Sequence, residues 1–140
     1  MPRVKVIDTA GFGDPTLSIK DIVKLFKKFF SSKDKIDIIV FVTKSTDSRL
    51  TLQERATLIS LKKFMTIIKP DSFFCLFSHT DVKLPNEDFI NGRLAFIKEH
   101  AGIECLRDNI IMFKKNAESL KGFVQKIRTN TFSGMQVNFA

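Results

Sequence analysis

Asp8 and Gly11 stand three residues apart in the stretch V-I-D-T-A-G-F-G-D at positions 6–14, where the apolar run Val4, Val6, Ile7 gives way to glycines. A carboxylate at the tip of a buried strand can hold Mg²⁺ through water, and a glycine three residues on can offer a bare backbone N–H to a terminal phosphate. A Cβ at position 11 would crowd that approach. Asp8 is therefore a candidate metal ligand and Gly11 a candidate phosphate contact. The alternative for Asp8 is a turn residue that closes a strand.

Ser78, His79, Thr80 and Asp81 follow the apolar run at 73–77. A carboxylate there can accept both the N1–H and the N2 amine of guanine in one fork, and adenine has no N2 amine. Asp81 is thus a candidate base selector. His79 is a candidate for stacking on the purine, against the alternative of an ordinary loop residue. Lys114, Lys115 and Asn116 come after the run at 109–113. Asn116 suits a base contact, and it suits equally an N-cap, since Asn side chains satisfy the free N–H groups of a starting helix.

Elements that would position these groups follow from hydrophobic period. Nearly continuous apolar runs predict strands at about 3–8, 36–43, 72–78 and 109–113, as expected for strands covered on both faces. Between them Ile19, Ile22, Val23, Phe26 and Phe30 recur at helical steps behind a Ser18/Asp21 capping box. Thr51 and Glu54 form a second box, opening a stripe of Leu58, Leu61, Met65 and Ile68 that stops before Pro70. Asn86 begins a third helix, with Ile90, Leu94, Ile97 and Ala101 inward and Gly102 ending it. Ala117, Leu120, Val124 and Ile127 mark a fourth. Strands alternating with helices predict an α/β class, a three-layer, mostly parallel sheet. Residues 1–128 read as one domain, without internal repeat or linker, and 129–140 as a loose C-terminal tail.

With 140 residues and 44% hydrophobic content, the chain can build one two-faced core. A net charge of +8 and a pI near 9.7 favour anionic partners. Lysines are not interleaved with aromatics, which argues against a nucleic-acid platform. Lys20, Lys24, Lys27 and Lys28 fall on one flank of the first helix, as a solvated face or as a contact for acidic lipid or protein. Cys75 and Cys105 lack a CxxC pattern and read as buried, reduced thiols, while His79 and His100 are too sparse for zinc. No stretch nears ~18 apolar residues, and the N-terminus has no apolar signal core. The expectation is a cytoplasmic protein, with peripheral membrane contact at most.

These motifs together resemble those of the immunity-associated GTPases of the avirulence-induced-gene (GIMAP-type) family, relatives of septins. D-T-A-G-F-G-D at 8–14 is similar to their switch II motif, and F-S-H-T-D at 77–81 to their relaxed base motif. S-R-L-T-L-Q-E-R at 48–55 resembles the family's own conserved box, which Ras-like proteins lack. The resemblance runs from about Val4 to Ile127. It implies a P-loop G domain that binds GTP or GDP with Mg²⁺ and self-associates through its nucleotide face. By the same resemblance Asp8 and Gly11 take the magnesium and γ-phosphate roles, Asp81 reads guanine, and Asn116 contacts the base. Arg49 and Thr51 take an architectural role.

The pattern also breaks. No two of the six glycines have the spacing of a phosphate-binding G-x-x-x-x-G-K-[ST] loop. The first strand and its helix, switch I and the second strand of such a domain have no counterpart either, which predicts an N-terminally truncated domain short by about 40 to 60 residues. The lost first strand would lie between 3–8 and 36–43, opening the sheet. Losing about five charge-assisted hydrogen bonds at roughly 1.5 to 3 kcal/mol each would weaken nucleotide binding by orders of magnitude. Phe12 stands where Ras-like enzymes carry the Gln that orients water, so no catalytic base is visible. Two readings remain: a guanine-nucleotide-binding domain, or an interaction module that has lost its nucleotide.

Overall fold

The computed structural model describes residues 6, 16–31, 35–65, 67–128 and 134–137. Helix α1 (Ile19–Phe29) starts from a reciprocal cap: Asp21 N–H donates to Ser18 Oγ at 3.2 Å and Ser18 N–H donates back to Asp21 Oδ2 at 3.2 Å. The Ser18 hydroxyl also donates to that carboxylate, and these bonds hold the Asp21 carboxyl below its ordinary range. Helix α2 (Leu52–Phe64) repeats the device with Thr51 and Glu54. Helix α3 (Glu87–Ala101) is capped by Asn86 Oδ1, which accepts from Phe89 N–H at 2.8 Å. It ends at Gly102, whose φ of 69° lies in the left-handed region, with its N–H on Lys98 C=O. Helix α4 (Ala117–Arg128) follows Asn116.

Strands β2 (Ile39–Lys44), β3 (Phe73–Ser78) and β4 (Ile110–Met112) form a parallel sheet in the order β2-β3-β4. Phe41 aligns with Cys75, and Cys75 with Ile110. α2 connects β2 to β3 and α3 connects β3 to β4, as parallel neighbours require. The chain is therefore mixed α/β. Alternation along β3 sends Phe73, Cys75 and Phe77 into one cluster with Ile22 and Phe26 of α1, Leu58, Leu61 and Phe64 of α2, and Ile90 and Ile97 of α3. Phe74 and Leu76, on the opposite face, are also buried. Rings of Phe26 and Phe64 stack at 5.3 Å between centroids, clamping α1 to α2. At the start of β4, Asn109 Nδ2 lies 3.1–3.2 Å from the carbonyl oxygens of Pro70, Asp71 and Phe73, stitching the entry to β3 against that strand.

Two expectations need correction, and two more need a remark. The strand expected at 36–43 is split, because Asp37 bends the chain between β1 (Lys35–Ile36) and β2; a carboxylate fits a pleated, half-buried surface poorly. The tail expected to be loose includes β5 (Met135–Gln136), antiparallel to β1, with Met135 and Val137 only 2% and 1% exposed. Met135 pairs with Ile36 and Val137 bridges to Met65, partners distant in sequence that no local pattern reports. The expected fourth helix is present as α4, with no buried residue and Leu120 53% exposed. An amphipathic period fixes which side is apolar, but not whether enough sheet exists to cover it. The expected strand at 3–8 lies outside the described residues, apart from Val6, which is 80% exposed.

Candidate functional site

Parallel strands end side by side, and their C-terminal tips carry three loops in a row: 45–50 after β2, 79–86 after β3 and 113–116 after β4. Backbone bonds prolong the sheet into these loops, from Ser45 N–H to Ser78 C=O at 3.0 Å and from Phe113 N–H to Phe77 C=O at 2.8 Å. The carboxyl ends of an open parallel sheet are where α/β folds place their ligands.

The middle loop is the most constrained. His79 has φ of 61°, the one positive value at a non-glycine among the described residues. Such a conformation costs on the order of 1–3 kcal/mol and persists only where its surroundings impose it. Here the His79 carbonyl accepts from both Val82 and Lys83 N–H at 3.0 Å, and Ser78 Oγ lies 2.9 Å from His79 Nδ1. Next in the chain, Thr80 is buried and its hydroxyl donates to Phe113 C=O at 3.0 Å. That bond ties the β3 loop to the β4 loop. Asp81 follows the tie directly and is exposed to solvent.

In the last loop Asn116 Oδ1 accepts from Ser119 N–H at 2.8 Å, and Ser119 Oγ accepts from Lys114 N–H at 3.2 Å. This is an N-cap on α4, so the capping role foreseen for Asn116 is present and uses its carbonyl oxygen. In the first loop the carbonyl of Asp47 accepts from the guanidinium of Arg93 on α3. Arg93 is 3% exposed, stacks on the Phe89 ring at 4.9 Å, and leaves Nη1 without a hydrogen-bond partner. A cavity of about 130 Å³ beside it is lined by Ser48, Asp88, Phe89, Gly92, Arg93 and Phe96. It falls well short of the ~300 Å³ at which pockets begin to hold small molecules.

The structure thus brings His79, Asp81 and Asn116 onto adjacent strand tips. Asp8 and Gly11 lie outside the described residues. Among the described residues, no three of His, Cys, Asp and Glu gather into a group able to hold a metal ion. Two residues that shape the site had no role assigned from sequence, Thr80 and Arg93. Arg93 carried a legible signal: it falls three residues after Ile90 and four before Ile97, on the buried stripe of α3. No helix among the described residues is long and apolar enough to cross a membrane. No protein-family model matches the chain, and no curated protein matches it.

Proposed function

We propose that the chain is the base-reading part of a guanine-nucleotide-binding G domain of the GIMAP type. One observation carries this reading: the Thr80–Phe113 bond joins the S-H-T-D loop to the K-K-N loop at the carboxyl ends of neighbouring parallel strands. The donor set fits a guanine. Asp81 offers an exposed carboxylate fork for N1–H and the N2 amine, His79 an exposed ring beside it, and Asn116 an amide whose NH₂ is not used by the cap. In this reading Asp8 holds Mg²⁺ through water and Gly11 meets the γ-phosphate of GTP, while GDP lacks that last contact. The bound nucleotide would supply the surface through which two such domains associate.

The competing reading is a nucleotide-independent interaction module. It is favoured by the commitment of the Asn116 oxygen to the α4 cap and by the small size of the cavity at Arg93. Titration of the ¹⁵N-labelled chain with GMP and with AMP separates the two. The guanine reading expects amide shifts at His79, Asp81 and Asn116 with GMP and much smaller ones with AMP. Equal or absent responses support the module.

A further inference from the structure

Both acidic residues of α1 and α2, Asp21 and Glu54, are spent in the first-turn capping boxes. The rest of these two packed helices carries seven cations, Lys20, Lys24, Lys27, Lys28, Arg55, Lys62 and Lys63, all exposed. The ion pairs Lys98–Glu104 and Arg107–Glu87 lie elsewhere, on and after α3. Lys27 and Lys63 reach the same Phe64 ring, at 5.5 and 5.4 Å from its centroid, so the two C-terminal halves lie together and pool their charge. On α2 the same outer side adds Leu52, 49% exposed, and Ile59, 36% exposed, at a seven-residue spacing.

We propose that this outer face of the α1–α2 pair docks on an anionic lipid bilayer. Lysine ammonium groups on flexible stems suit a surface of headgroup charges, and two exposed aliphatic side chains among them suit the acyl boundary beneath. A single-stranded nucleic acid would be served by several exposed aromatics among the cations, whereas the exposed apolar side chains of α2 are the aliphatic Leu52 and Ile59. None of the lysines substituted below belongs to the loops that carry His79, Asp81 and Asn116, so docking and base reading can be tested separately.

Co-sedimentation with phosphatidylcholine vesicles, with and without about 30 mol% phosphatidylserine, tests the proposal. Binding is expected only with phosphatidylserine and to fall as salt shortens the Debye length. K24E/K28E/K62E should weaken it at least tenfold. K98E/K121E/R128E, which lowers net charge by the same amount on other elements, should change it by less than about threefold. I59S should weaken vesicle binding while leaving helix content by circular dichroism unchanged. Equal losses from the two triple variants, no vesicle binding, or tighter binding to single-stranded RNA with vesicles ignored would each overturn it.

Discussion

The hydroxyl of Thr80 donates to the carbonyl of Phe113 at 3.0 Å, across thirty-three residues of sequence, and this bond holds two strand-tip loops side by side. Thr80 is only 4% exposed, so removing its hydroxyl leaves the Phe113 carbonyl without that donor. Thr80→Val should therefore cost about 1–3 kcal/mol of stability by urea unfolding, with Thr80→Ser close to wild type. Equal losses in both variants would assign the effect to packing instead.

Asn116 can be separated into its two roles. Asn116→Ala should remove the cap on α4 and cost about 1 kcal/mol, while Asn116→Asp keeps an acceptor for Ser119 N–H and should cost little. If the Asp variant nevertheless loses its guanine response, the amide NH₂ contributes to base recognition independently of the cap.

Burial pushes the Cys105 thiol up to about 11, and burial, with the neighbouring Cys105 next in order, pushes Cys75 higher still. A thiol whose folded pKa exceeds its unfolded value binds more protons when folded. Its contribution is complete below about pH 8.5 and is lost as pH rises through the folded value. Stability should thus decline between roughly pH 8.5 and 11, and Cys105→Ala should flatten that slope. Both thiols should also react slowly with maleimide at neutral pH until denaturant is added.

Gly102 occupies left-handed backbone with open space around its Cα, so a side chain meets no clash and only the conformation is penalised. Gly102→Ala should cost about 1–2 kcal/mol in thermal or urea unfolding. Gly92, inside α3 and equally open, gives the opposite sign: Gly92→Ala should stabilise by about 0.5–1 kcal/mol.

What was legible in the sequence was what depends on near neighbours. Ser18 with Asp21, Thr51 with Glu54, Asn86 and Gly102 each mark a helix end through groups at most four residues away, and each does so in the fold. The apolar run that became β3 was legible because a strand buried on both faces needs no alternation, and β4, half-buried along its length, follows a shorter apolar run. The pairing of Met135 with Ile36 and the bond from Thr80 to Phe113 depend on segments distant in sequence, whereas the split of the run at 36–43 comes from Asp37 within it. Helix α4 was legible as a helix, but its exposure depends on how much sheet surrounds it.

Guanine reading by Asp81 is the claim on which the functional account rests, and base preference tests it most directly. Titrations of the wild-type chain and Asp81→Asn with guanosine and xanthosine diphosphates should show a reversal, since xanthine presents a carbonyl where guanine has its amine and an Asn amide can donate to it. Unchanged preference for guanosine diphosphate in the variant would contradict the account.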